Sequence, residues 1–100
     1  MVVVVLRYPA YLASFDEVAE RCQALVPMFE SKIPGLINKT WGMNEETGTM
    51  CSVYHFEDRA SAEARFASDG FRDFVDKTLQ DRLEIEFFEV AAVASRRPLK

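Results

Sequence analysis

The N-terminal run 2–8 constrains the fold most, because it is rich in β-branched residues and apolar at both parities. Even-numbered Val2, Val4 and Leu6 would face one side of an extended chain, and odd-numbered valines the other. A strand with one face in water alternates apolar and polar residues, so this run predicts a strand covered on both faces. It is too short to cross a bilayer and lacks the flanks of a signal peptide, so we expect no membrane partner.

Capping and periodicity signals predict the elements that follow. Ser14 and Glu17 form an S-x-x-E capping box ahead of a helix with apolar spacing up to Phe29, and Pro27 predicts a kink or a break before Met28. Further along, the pattern predicts strands at 36–43 and 49–56, a helix capped by Asp58 and interrupted at 69–70, a second helical piece to 79, and a strand at 83–93.

The resulting order β-α-β-β-α-β is typical of the ferredoxin-like α+β fold with a four-stranded antiparallel sheet. Right-handed crossovers place both helices on one face of the sheet. The other face is also expected to be apolar, through Val3, Val5, Ile37, Trp41, Val53 and Phe88. An open apolar patch of this kind predicts a covering partner, and a second copy of the chain is the commonest one. We expect one domain over 1–94 and a C-terminal tail over 95–100.

Charge and cysteine usage narrow the class of protein. The formal net charge is −4, and the one basic cluster, Arg96 and Arg97 with Lys100, is too short for phosphate binding, so nucleic acid is not expected as a partner. Cys22 and Cys51 stand far apart without a CxxC motif, which favours reduced thiols in a cytoplasmic protein over a disulfide between them.

Motifs for cofactors and metals are missing from the sequence. The chain has a single histidine, with no spacing that brings a second strong metal ligand near it. It also has no glycine-rich phosphate loop. We therefore expect neither a metal nor a dedicated cofactor.

Several stretches resemble a known family. The segment Ile-Pro-Gly-Leu-Ile-Asn-Lys at 33–39, the strand 48–56, the segment Glu-Asp-Arg-Ala-Ser-Ala-Glu-Ala at 57–64, and Glu-Phe-Phe-Glu-Val at 86–90 are similar to YdhR-type monooxygenases. These belong to the dimeric α/β barrel superfamily, alongside antibiotic-biosynthesis monooxygenases. The similarity runs from Leu6 to Val90.

The resemblance implies a homodimer whose two sheets meet face to face, and a cavity between the helices and the sheet. It also implies oxygenation, without a cofactor, of a small apolar molecule of aromatic or polyketide-like type. The superfamily includes haem-degrading enzymes, isomerases and cyclases, so fold alone does not decide the reaction. The sequence departs from the common pattern at Cys51 and Ser52, where many relatives carry two glycines.

Three residues are candidates for a catalytic role. His55 would remove a proton from a phenolic or enolic substrate, because histidine exchanges protons near neutral pH; the alternative is a hydrogen-bonded residue at the dimer face. Tyr54 would bind a substrate oxygen, or simply pack in the core. Arg7, a charge in an apolar strand, would bind an anion or pair with one of the glutamates 84, 86 and 89.

Four further residues are candidates for substrate binding: Asn38, Trp41, Phe66 and Phe71. Asn38 is a polar residue inside a strand. Trp41 would shape a pocket or pack in the core or at an interface, and Phe66 and Phe71 would line the gap between helices and sheet, with core packing as the alternative. Strand parity places Tyr54 and Trp41 on opposite faces. The break at 69–70 would be the flexible gate.

The residues therefore leave three functions open. The first is a cofactor-independent monooxygenase acting on a small aromatic or polyketide-like substrate. The second is an isomerase or cyclase using the same base without oxygen. The third is a module that binds a small apolar ligand or haem and catalyses nothing.

Overall fold

The computed structural model describes residues 1–96. The elements, in chain order, are β1 Val2–Pro9, α1 Phe15–Lys32, β2 Leu36–Asn44, β3 Thr49–Phe56, α2 Arg59–Phe66, α3 Asp69–Phe74 with a π-helical turn over Val75–Leu79, and β4 Glu84–Glu89. The four strands form one antiparallel sheet in the order β2-β3-β1-β4. This confirms the predicted ferredoxin-like α+β fold. Of the predicted tail, residues 97–100, which include Arg97 and Lys100, lie outside the described residues.

The core lies between the sheet and the helices. The even-numbered side chains of β1 are buried together with those of β3 and with residues of all three helices, including Phe29, Ala62 and Phe71. The two central strands therefore turn one parity toward the helices. This face carries the aromatic residues that matter for the site.

A β-bulge in β2 overturns one prediction about the faces. Leu36 pairs with Phe56 and Asn38 pairs with His55, so Ile37 is an extra residue between them. An extra residue reverses the alternation beyond it, because side chains of a strand have a period of two. Trp41 therefore points toward the helices and not to the open face, and Ile37 lines a groove beside α1.

The open face of the sheet keeps the other predicted apolar residues, namely Val3, Val5, Val53 and Phe88. Phe88 is 44% exposed, while the three valines are half-buried on the central strands. Arg7, Glu84 and Glu86 lie on the same face, which is therefore more mixed than the sequence predicted.

The first helix confirms its predicted start and excludes the predicted break at Pro27. The Glu17 N–H donates to Ser14 Oγ at 3.3 Å, as expected for the cap. The helix continues through Pro27 to Lys32, so the predicted break before Met28 is wrong. Proline removes only one backbone donor, and the buried Phe29 holds the last turns against the sheet.

The second helical region breaks earlier than predicted. Asp58 caps α2, as expected, by accepting from the Ser61 N–H at 2.7 Å. The break falls at residues 67–68, and Ser68 Oγ caps α3 by accepting from the Phe71 N–H at 3.4 Å. The predicted interruption at 69–70 is therefore the first turn of α3, because the serine cap starts a new helix there.

Gly35 sets the distance between the start of β2 and α2. Its φ of +75° is in the left-handed region, and a Cβ there would collide with the Ser61 side chain. The Glu57 N–H donates to the Gly35 carbonyl at 2.8 Å. Glycine thus allows α2 to pack closely over the edge of the sheet, which brings its residue 65 over the core.

Candidate functional site

A cavity of about 170 Å³ lies between the helices and the sheet. Its walls are mostly aromatic, and they include Tyr8, Tyr11, Phe29, Trp41, Phe71 and Phe74. Several of these rings meet edge to face, for example Phe29 and Trp41 with centroids 5.2 Å apart. Such walls suit a flat apolar ligand.

Lys39 brings an amine into this cavity. It lies on β2 after the bulge, and its Nζ is 2.8 Å from the Tyr54 hydroxyl. The same nitrogen lies 3.8 Å, 4.3 Å and 4.4 Å from the ring centroids of Phe29, Trp41 and Tyr54. The amine is therefore enclosed by three rings and one hydroxyl.

The pKa of Lys39 is lowered from its usual 10.5 to about 6. Burial is the main cause, since it disfavours the charged form, and repulsion by the Arg65 guanidinium acts in the same direction. The Cys22 thiol acts weakly against them. The ring faces also favour the ammonium form, but they do not restore the hydration that burial removes. Lys39 is thus an amine that exchanges its proton near neutral pH.

Arg65 brings a second cation to the same cavity from α2. Its guanidinium carbon lies 5.2 Å from the Phe29 ring centroid and 5.9 Å from that of Phe71. Its Nε is buried and has no hydrogen-bond partner among residues 1–96. Within that part of the chain, neither Lys39 nor Arg65 has a carboxylate within 4 Å.

The tyrosine hydroxyls of the cavity remain protonated. Burial raises the pKa of Tyr54 to about 12, although the charge of Arg65 and its hydrogen bond to the hydroxyl act against this. Burial also raises the pKa of Tyr8, against the effect of a 3.0 Å hydrogen bond between its hydroxyl and Ser52 Oγ. Both side chains can therefore donate hydrogen bonds to a ligand oxygen at neutral pH.

A groove beside α1 leads to the cavity. It has a volume of about 420 Å³ and shares Phe29, Lys39 and Trp41 with the cavity wall. Its other lining residues include Glu30 and Asn38. The groove and the cavity therefore share one wall.

The structure brings four of the predicted site residues together. Tyr54, Trp41 and Phe71 line the cavity, and Phe66 packs behind them with its ring 5.0 Å from Tyr54 and 4.9 Å from Phe71. Tyr54 and Trp41 therefore share a site, and the prediction that they lie on opposite faces is wrong. The bulge in β2 is the reason.

The other three predicted residues lie on the open face. His55 pairs with Val3 and Asn38, is 9% exposed, and has a buried Nε2 without a hydrogen-bond partner among the described residues. Arg7 is exposed opposite Glu84 and forms no ion pair within the described chain. The structure does not bring either of them to Tyr54.

Two functional residues escaped the sequence analysis, Lys39 and Arg65. Lys39 shares its strand parity with Trp41 and Met43, so a lysine in a core-facing row was the available signal. Arg65 follows the buried Ala62 by three residues and precedes Phe66, which places it beside the apolar stripe of α2. A charged residue on the apolar stripe of a helix indicates a candidate site residue for the same reason as one in an apolar strand, because charges are rarely buried without a partner.

The described residues contain neither a cluster of metal ligands nor a membrane-spanning helix. No group of three or more His, Cys, Asp or Glu side chains in residues 1–96 is arranged to hold a metal ion. None of the helices there has the length and apolarity needed to cross a bilayer. Cys22 and Cys51 are both free thiols, on α1 and on β3.

Comparison with known proteins decides the family. Residues 5–97 match the family described as "Putative mono-oxygenase ydhR". The chain belongs to the ydhR family. This confirms the resemblance drawn from the sequence. No curated protein matches the chain.

Solved structures share the fold of this ydhR family member. A "putative antibiotic biosynthesis monooxygenase" from Deinococcus radiodurans is 17% identical, with a TM-score of 0.68 over 97% of this chain and 99% of that one. SnoaB, a cofactor-independent oxygenase from Streptomyces nogalater, is 17% identical, with a TM-score of 0.65 over 92% of this chain and 94% of its own. A third, a "putative antibiotic biosynthesis monooxygenase" from Caulobacter crescentus, is 15% identical, with a TM-score of 0.67 over 91% and 90%. At such identities the likeness shows the fold.

Proposed function

We propose that the chain is a cofactor-independent monooxygenase that oxidises a small aromatic substrate in the cavity between helices and sheet. The observation that carries the proposal is the Lys39 amine, held 2.8 Å from the Tyr54 hydroxyl inside an aromatic cavity. Membership of the ydhR family and the shared fold of SnoaB, a cofactor-independent oxygenase, support it.

The cavity supplies what this reaction asks of a protein. Lys39, as the neutral amine, removes a proton from a phenolic hydroxyl or an activated C–H group. Arg65 and the resulting Lys39 ammonium stabilise the substrate anion, and the Tyr54 hydroxyl donates to its oxygen. Walls of aromatic side chains keep water away from the anion.

Dioxygen completes the reaction without another reductant. The substrate anion passes one electron to dioxygen, and the radical pair combines to a peroxide anion, which takes up the proton held by Lys39 and becomes a hydroperoxide. This loses water to give a carbonyl. In sum, a methylene group and O₂ yield a carbonyl group and water, so one oxygen atom enters the product and the other leaves as water.

Oxygen consumption with a panel of electron-rich single-ring phenols, and of single-ring ketones with an activated methylene group, tests the proposal. We expect one O₂ consumed per product, and one ¹⁸O atom in the product when ¹⁸O₂ is supplied. Activity should be lost in Lys39→Met and kept in His55→Gln, since His55 lies on the other face of the sheet. A sedimentation run on each variant shows whether its assembly is intact.

Three outcomes would contradict the proposal. An isomeric product formed without oxygen uptake would indicate an isomerase or cyclase. Saturable binding of the phenols without turnover would indicate a binding module. Loss of activity in His55→Gln, with Lys39→Met still active, would move the chemistry to the open face, where His55, Arg7 and Asn38 lie.

We also propose that a second copy of the chain covers the open face. Val3, Val5 and Val53 form an apolar centre on that face, and the buried His55 Nε2 lacks a hydrogen-bond partner there within the described chain. A two-fold partner would bury the valines and bring polar groups to the histidine.

Val53→Glu should convert this dimer into a monomer, because it places a charge in the centre of the buried face. Sedimentation at micromolar concentration measures the change. Ala24→Glu, an equal charge on the exposed side of α1, serves as the control and should stay dimeric. A wild-type chain that is monomeric at these concentrations, or a dimeric Val53→Glu variant, would overturn the proposed assembly.

A further inference from the structure

The cavity holds two basic side chains and, among the described residues, no carboxylate. Lys39 and Arg65 both face it, and within residues 1–96 neither lies within 4 Å of a carboxylate. Glu30 lines the outer groove, but it does not line the cavity itself. We propose that the cavity binds the carboxylate of a single-ring aromatic acid, with Arg65 as its counter-charge and Lys39 as a second polar group in the same cavity.

Arg65 is the stronger part of the argument. A guanidinium stays charged in proteins, so unlike Lys39 it cannot escape the cost of burial by losing its proton. Its Nε is nevertheless buried and lacks a hydrogen-bond partner in the described chain. Arginine presents a planar set of donors that matches a carboxylate. A ligand carboxylate would therefore satisfy both the charge and the open donor.

Lys39 faces the same cavity from the sheet side, and a bound anion would also interact with it. Arg65 repels its ammonium form, and a bound anion between the two would cancel that repulsion. The whole chain has a net charge of −4, so long-range attraction does not favour an anion. The preference must arise locally, from these two side chains in a medium of low polarity.

The volume of the cavity sets the size of the ligand. At about 170 Å³ it is close to the roughly 150 Å³ of an engineered apolar cavity that binds benzene. One ring with a small substituent fits this space, whereas a fused polycyclic molecule does not. The rings of Phe29, Trp41 and Phe71 would meet such a ligand edge to face.

The inference deepens the proposed function by naming its substrate class, and it rests on that function for turnover but not for binding. In a hydroxylated aromatic acid, the carboxylate would face Arg65 while the hydroxyl faced Lys39 and Tyr54. Binding can therefore be measured without oxygen and separated from the oxygenase reaction.

Calorimetric titration under nitrogen with benzoate and with benzamide, its neutral isostere, tests the inference. We expect wild-type protein to bind benzoate at least about tenfold more tightly than benzamide, which corresponds to about 1.4 kcal/mol. Arg65→Met should reduce this ratio to below about threefold, and Arg65→Lys should keep part of it because the charge remains. Arg59→Met is the matched control, since Arg59 is exposed on the same helix and pairs with Glu63.

The outcomes separate the two proposals. Equal affinity for benzoate and benzamide in the wild type, or an equal loss in Arg59→Met and Arg65→Met, would overturn the inference. If the protein prefers benzoate but consumes no oxygen with any hydroxybenzoate, the carboxylate site is supported and the proposed oxygenase function is contradicted. If the protein consumes oxygen with neutral phenols and shows no preference for acids, the oxygenase function is supported and the carboxylate site is contradicted. Circular dichroism of each variant confirms that it is folded.

Discussion

Lys39→Met should stabilise the fold by about 1–4 kcal/mol near pH 7, because an apolar side chain of similar length replaces a buried amine without an ionic partner. The lowered pKa of Lys39, about 6 against 10.5 in the unfolded chain, gives the effect a definite pH dependence. Between these two values the unfolded chain binds a proton that the folded chain does not. Stability of the wild type therefore rises with pH across this window.

The direction of this pH dependence follows from the proton that Lys39 binds in the unfolded chain but not in the folded one. Below about pH 6 both states carry the charge, so the wild type bears the full cost of burying it. As the pH approaches 10.5 the unfolded chain also loses its proton and the cost disappears. The advantage of the methionine variant should therefore be largest at pH 6 and shrink steadily toward pH 10.

Urea unfolding at pH 6, 7.5 and 9, at one protein concentration, measures this difference in the free energy of unfolding. Lys77→Met is the control, because the Lys77 side chain is 78% exposed and should show little change at any pH. If the gain in the free energy of unfolding does not vary with pH, or if Lys39→Met is less stable than the wild type, Lys39 is not a buried amine with a lowered pKa.

The proposed oxygenase activity should depend on Lys39 in the opposite sense, because the substitution that stabilises the fold removes the base. We expect kcat/KM for oxygen uptake to rise with pH around a midpoint near 6, where the free enzyme loses the Lys39 proton. Lys39→Met should lower the rate by about 10²–10⁴, the usual contribution of a general base. Lys39→Arg should be as inactive, since a guanidinium keeps the charge but cannot accept a proton.

Arg65 offers an independent test of the midpoint. The groups that face Lys39 are Arg65 on α2, Cys22 on α1, and Tyr54 on β3, and of these Arg65 lowers the Lys39 pKa while Cys22 raises it. Arg65→Met should therefore move the midpoint of kcat/KM to higher pH. A flat pH profile, or a midpoint that stays in place in Arg65→Met, would rule out Lys39 as the base.

A lysine that destabilises the fold and performs the chemistry would explain why it stands in a core-facing row of β2. Methionine or leucine would pack better between Phe29 and Trp41. Active sites commonly retain such groups at a cost in stability. The two predictions are therefore linked: the variant that gains stability is the one that loses activity.

Local sequence signals were sufficient for much of the fold. The Ser14 and Asp58 caps, the parities of β1 and β3, and the element order were all predicted, because caps and alternation depend on neighbouring residues. Phe66 and Phe71 were also predicted near the gap between helices and sheet, where the structure has them, whereas the side on which Tyr54 lies was left open. Local signals did not decide between a kink and a break at Pro27, and the structure has the helix continue through it while the buried Phe29 packs against the sheet.

The sequence by itself determined the order of the elements and that helices cover one face of the sheet. Only the tertiary structure decided which residues share the helix-covered face with Tyr54. The bulge at Ile37 depends on how β2 pairs with β3, and no pattern within β2 reveals it. One extra residue turns Lys39 and Trp41 toward the helices, where α2 brings Arg65 to meet them. The candidate site is therefore a product of strand pairing and helix packing.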